Sequence, residues 1–208
     1  MKNDNKNVEI KLVSTDTGFA YDVEITDPKA TLGEYIDSLD AFLEEKVASC
    51  LGCDNCCYQR IPLILPDIYN YAGSSPETAD RFLQERCTIK KCGPALDISL
   101  AQGQEGICTF LDGENQRCTD HRRRSMVCHT YICIPQTPRA RELRETLINQ
   151  GEDALIGELF AWGLLPQYQD LSSAYPIKEH WQNRSYDRVI LQEVLPRELW
   201  KRLRYPAL

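Results

Sequence analysis

The chain has 208 residues, 42% of them hydrophobic and 26% charged, which is enough for one well-filled core and ordinary for a globular protein. Its net charge of −7 argues against a protein built to coat nucleic acid or an anionic membrane. No stretch approaches the ~20 apolar residues of a membrane helix, and the polar start Met1-Lys-Asn-Asp-Asn has no signal-peptide core, so a cytoplasmic location is expected.

Val8 to Val13 and Phe19 to Ile25 alternate apolar and polar residues around the turn signal Thr15-Asp-Thr-Gly18, which predicts a β-hairpin. Thr31-Leu-Gly-Glu34 reads as a capping box, and Leu32, Tyr35, Ile36, Leu39, Phe42 and Leu43 follow helical spacing over roughly 32–48. Ile61-Pro-Leu-Ile-Leu65 is short and apolar, and Pro62 confines it to an edge strand or extended segment. Pro66 and Ser75-Pro76 each begin a short helix, and Asp97 to Ala101 is a candidate strand. Ile107 to Leu111 and Arg117-Cys118 flank Asp112-Gly113, which predicts a second hairpin bringing Cys108 and Cys118 near one another. Thr137-Pro138 starts a helix expected to stop at Gly151; a further helix follows over 155–160, and one or two more lie between Tyr186 and Arg204.

The expected fold is α+β: a single small cysteine-rich, metal-centred domain over 1–208. A hairpin and helix occupy 1–49, a cysteine-cluster core 50–133 and a helical part 134–208.

Ten cysteines stand in this chain, four of them in Cys50-Leu-Gly-Cys53-Asp-Asn-Cys56-Cys57. Cytosolic thiols stay reduced, so such a pattern reads as metal-binding or catalytic rather than as a disulfide framework. Dense soft sulfur ligands select zinc, copper(I) or iron–sulfur clusters. The run Cys50-x2-Cys53-x2-Cys56 has the spacing of the first three ligands of a bacterial ferredoxin loop. Zinc sites more often use two separate Cys-x2-Cys pairs. The reading leans to iron–sulfur, with zinc as the alternative.

Taken in order, Cys50, Cys53, Cys56, Cys57, Cys108, Cys118, Cys128 and Cys133 resemble the eight-cysteine hallmark of the CxxCxxCC, or YkgJ-like, family, whose domain is regarded as zinc- or iron-chelating. Arg124 and Tyr131 also match its later motif, and the resemblance covers about residues 50–133. His121 stands where the family has Tyr, Ser125 where it has Pro, and His129 where it has Arg. The resemblance implies that the eight cysteines are metal ligands and that Arg124 supports the bound group. It implies little about substrate: members are iron–sulfur oxidoreductases or metal chelators, and some are similar to the cysteine-bearing part of a flagellin lysine N-methylase.

Eight thiols make two four-ligand centres, or one centre with spare thiols. In extended backbone Cys56 and Cys57 point to opposite sides, which predicts two centres or one multi-iron cluster. Arg124 offsets thiolate charge, while Arg122 and Arg123 are expected at the surface. His121, His129, Cys87 and Cys92 are weaker candidates for ligation, and His180 is expected to pack or face solvent.

Three functions follow. The first is an iron–sulfur protein in redox or electron transfer, serving a redox or enzyme protein partner. The second is a zinc-binding structural, interaction or metal-delivery protein. The third is a cluster-dependent enzyme; no Ser–His–Asp order, phosphate loop or dinucleotide fingerprint is visible to support it.

Overall fold

The computed structural model describes residues 7–16, 18–46 and 53–205. In chain order its elements are β1 (Val8–Thr15), β2 (Gly18–Ile25), α1 (Leu32–Lys46), α2 (Leu65–Ala72), α3 (Pro76–Arg86), β3 (Cys87–Cys92), β4 (Ala95–Leu100), β5 (Leu111–Asp112), β6 (Arg117–Cys118), α4 (Met126–Thr130), α5 (Pro138–Ala161), α6 (Leu191–Val194) and α7 (Arg197–Leu203). The fold is α+β with an N-terminal hairpin, as the sequence patterning implies. The contacts divide it into two units, one of residues 1–48, 129–147 and 186–208 and one of residues 49–128 and 148–185. Among the described residues no helix is long and apolar enough to cross a membrane.

In the first unit β1 and β2 pair antiparallel from Val8 opposite Ile25 to Thr15 opposite Gly18. Gly18 has φ +130°, a conformation that side chains resist. β2 does not alternate as expected: Ala20, Tyr21, Asp22 and Val23 are all buried. The cause is a second neighbour. The Tyr21 amide donates to the Pro135 carbonyl at 2.8 Å, and the Thr137 amide donates to the Tyr21 carbonyl at 2.9 Å, so β2 is covered on both edges. The α1 capping box forms as expected. The Thr31 amide donates to the Glu34 carboxylate at 2.9 Å and the Glu34 amide to the Thr31 hydroxyl at 3.2 Å. Leu32, Tyr35, Ile36, Leu39 and Phe42 form the buried stripe.

A buried ion pair ties the start of α5 to the hairpin. Arg139 grips both carboxylate oxygens of Asp22, and the Thr137 hydroxyl donates to the same carboxylate at 2.6 Å. Burial alone would raise the Asp22 carboxyl, but these hydrogen bonds outweigh it and hold the group below its ordinary range.

In the second unit β3 and β4 form a hairpin. The Ile61–Leu63 segment lies along the other edge of β4: the Leu63 amide donates to the Ile98 carbonyl and the Leu100 amide to the Ile61 carbonyl, both at 2.9 Å. This is the edge position that Pro62 permits. Ser75 caps α3, accepting the Thr78 amide at 3.3 Å. Ile61, Leu63, Ile64, Leu65, Ile68, Ile98, Leu155, Leu159 and Trp181 fill the core.

The helix expected to end at Gly151 instead runs without a break to Ala161, merging two predicted helices into α5. Gly151 is a packing residue: a Cβ there would lie 2.7 Å from Ile64 and 3.1 Å from Trp181. The actual stop is Gly163, at φ +72°. Its amide donates to the Phe160 carbonyl at 3.0 Å while the Leu164 amide reaches the Leu159 carbonyl at 2.9 Å, the paired bonds of a Schellman ending.

Candidate metal centre

Cys56 and Cys57 sit on a 3-10 turn, Asn55–Tyr58, closed by the Cys57 amide to the Asp54 carbonyl at 2.7 Å. The extended backbone expected here is therefore replaced by a turn with three residues per revolution. Adjacent side chains diverge by about a third of a turn rather than pointing to opposite sides. Extended backbone therefore no longer separates Cys56 and Cys57 into two centres or across one wide multi-iron cluster. Cys53, just before this turn, is exposed, and Cys50 lies outside the described residues.

Cys108 is held against the turn through backbone: its amide donates to the Cys57 carbonyl at 2.9 Å. The Gln102 side-chain amide reinforces this, donating to the Gln59 carbonyl at 3.2 Å and the Gly106 carbonyl at 2.8 Å. Cys118 opens the way out of the short β5–β6 hairpin, opposite Leu111, and the Leu111 amide donates back to the Cys108 carbonyl at 2.9 Å. Cys108 is thus linked to this hairpin by a turn rather than paired across it.

Cys128 rides on α4, and two buried groups set that helix in place. Asp67, wholly inaccessible, accepts the Ile64 amide with one oxygen and the Met126 amide with the other, both at 2.8 Å. Ser125, also wholly buried, accepts the Cys128 amide at 3.4 Å and donates its hydroxyl to the Cys128 sulfur at 3.3 Å. Ser125 therefore caps α4 and contacts a thiol. Sequence reasoning missed Asp67 and Gln102. The visible signal at Asp67 was a carboxylate in a helix's first turn after proline, which suggests a cap but not its bond to an amide 59 residues away.

The thiols act on one another. Burial, and then the charges of Cys56, Cys108, Cys118 and Cys128, push the Cys57 thiol up to about 12. Burial chiefly does the same at Cys128, also to about 12, with Cys56 and Cys108 adding to it. Cys108 and Cys118 are raised too, first by burial. Arg124 opposes the rise at Cys118. Five soft donors in one electrostatic neighbourhood, with a guanidinium beside them, are a donor set that suits a thiophilic metal. Among the described residues no group of three His, Cys, Asp or Glu side chains already stands in ion-holding geometry.

Cys133 is exposed and belongs to the first unit. Cys87 and Cys92 stand at opposite ends of β3, five residues apart, so they are separated by about 16 Å and face opposite sides. They cannot share an ion or form a redox pair in this arrangement.

Arg124 Nη1 lies 2.9 Å from His121 Nε2. A guanidinium only donates, so that ring nitrogen accepts and its lone pair is engaged. His129 donates from Nδ1 to the Asp40 carboxylate at 2.8 Å within the first unit. His180 is exposed. Arg122 and Arg123 are exposed as expected, and Arg123 forks onto Asp120 at 2.8 and 3.1 Å.

No curated protein and no solved structure matches the chain. A family model does: the CxxCxxCC model, described as a "putative zinc- or iron-chelating domain", matches residues 49–149, a span that takes in every cysteine placed above as well as the first half of α5. Through this stretch the chain is similar to the CxxCxxCC family.

Proposed function

We propose that this protein carries an iron–sulfur cluster on its cysteine cluster and works in redox or electron transfer in the cytoplasm, serving a partner enzyme. The ligands are drawn from Cys50, Cys53, Cys56, Cys57, Cys108, Cys118, Cys128 and Cys133. The observation that carries this reading is the mutual influence of the Cys56, Cys57, Cys108, Cys118 and Cys128 thiols, which come from four separate stretches of chain. The ferredoxin-like spacing of Cys50, Cys53 and Cys56 supports iron–sulfur over zinc.

A bound cluster supplies one-electron chemistry. The residues of the chain do the rest. Asp67 and Ser125 hold Cys128 in place. The Ser125 hydroxyl donates to its sulfur, which draws electron density from a thiolate. Arg124 places positive charge beside Cys118 and offsets the excess negative charge of a thiolate-ligated centre.

Purification without oxygen, followed by a visible spectrum and analysis for iron, acid-labile sulfide and zinc, tests this. A brown protein with iron and sulfide in comparable amounts is expected. A colourless protein with stoichiometric zinc overturns the iron–sulfur reading and makes the protein a zinc-held structural or delivery module.

A further inference from the structure

Beside the cysteine cluster the second unit opens a surface cleft of about 320 Å³ that the metal reading does not use. That volume lies at the small end of the roughly 300–1,000 Å³ typical of ligand pockets. Its apolar part is a slab of three rings. Tyr71 is stacked between Phe82, at 4.9 Å between centroids and 14° between planes, and Phe110, at 5.3 Å and 10°. Parallel rings at these distances are attractive and rigid. Tyr71 is half-buried between the two phenyl rings.

The polar part is cationic. Arg81 and Arg86 project from α3, and Arg123 comes from the segment after Cys118. Their states differ. Arg123 is engaged by Asp120. Arg86 lies over the Phe110 ring at 5.4 Å and donates one N–H to the Thr109 hydroxyl at 3.3 Å, which fixes its plane and leaves most of its five donors uncommitted. Arg81 has no hydrogen-bond or ion-pair partner among the described residues. A guanidinium oriented on an aromatic ring, next to a second that is unpaired, is an arrangement suited to a carboxylate or phosphate. Glu85 on the same rim opposes an anion and Asp120 is already paired with Arg123, so Arg81 and Arg86 together outweigh the one carboxylate left.

We propose that this cleft binds a small planar anion, an aromatic or heteroaromatic ring bearing a carboxylate or phosphate. The ring packs against the Phe82–Tyr71–Phe110 slab, and Arg81 and Arg86 hold the anionic group. The site does not depend on which metal the cysteines hold.

Calorimetric titration of the full chain as purified tests the assignment, with 2-naphthoate and adenosine monophosphate as probes and adenosine and inorganic phosphate as half-ligands. At least one probe is expected to bind saturably and about tenfold or more tighter than either half-ligand. Arg81→Gln and Arg86→Gln should each weaken it by about tenfold. Arg81 is exposed on a helix, so its replacement does not threaten the fold. Arg122→Gln, at an exposed residue outside the cleft lining, should leave the affinity unchanged. The proposal is overturned if neither probe saturates at millimolar concentration, if inorganic phosphate binds as tightly as the probes, or if both cleft arginine variants keep wild-type affinity. Metal analysis of the same samples separates this outcome from any failure of the iron–sulfur reading.

Discussion

Asp67 is the residue on which the Cys128 helix hangs. A wholly buried carboxylate is costly unless its oxygens are satisfied, and here each accepts a backbone amide. Asp67→Ala would remove the carboxylate acceptor from both amides, and a loss of about 3 kcal/mol in urea unfolding is expected. Asp67→Asn keeps one acceptor oxygen and should cost less. A change within about 0.5 kcal/mol for the alanine variant would mean that other groups fix α4. Glu152 offers a pH test. Burial chiefly, with the Asp97 charge adding and Arg60 opposing, raises its carboxyl from 4.5 to about 7. The folded chain therefore binds this proton more tightly than the unfolded chain. The ionised carboxylate costs stability that is absent below the unfolded value, grows as pH rises toward 7, and is constant above it. Glu152→Gln removes that dependence, so its stability relative to wild type should rise between about pH 5 and pH 8. A flat difference would contradict the assignment.

At the scale of elements, what the sequence reveals depends on how local the cause is. The α1 capping box, the α3 cap at Ser75 and the Pro62 edge segment are each set by residues a few positions apart, and each was readable. α5 was misread because Gly151 has two roles open to it. A glycine after a helical run suggests a stop, but here it admits Ile64 and Trp181 against the helix. Gly151→Ala separates the two roles. Helix propensity alone predicts a gain of about 1 kcal/mol. The close contacts predict a net loss of about 1–2 kcal/mol, since Ile64 Cβ and Cγ2 would both lie at 2.7 Å. A more stable variant in urea unfolding would show that the neighbours yield. β2 was misread for a related reason. Its alternation held only for the hairpin partner, and the covering segment at 135–137 arrives more than a hundred residues later.

At the scale of the whole molecule, the cysteine pattern was legible as a pattern, because ligand types and spacings are carried in the chain itself. The supports were not. The Asp67–Met126 bond, the Gln102 clasp between the Cys57 turn and the Cys108 loop, and the aromatic slab joining Tyr71 to Phe82 and Phe110 all depend on distant packing. Nor could the backbone state at Cys56-Cys57 be read. A 3-10 turn instead of a strand changes the directions of two adjacent thiols and, with them, the case for two centres. The central proposal is that thiols from separate stretches of this chain ligate metal together. X-ray absorption at the metal edge of the protein purified without oxygen tests that claim most directly, whichever metal is present. The account predicts a first shell of sulfur that loses scatterers or occupancy in Cys57→Ser and Cys118→Ser. A first shell of nitrogen and oxygen, or a sulfur shell unchanged in both variants, would contradict it.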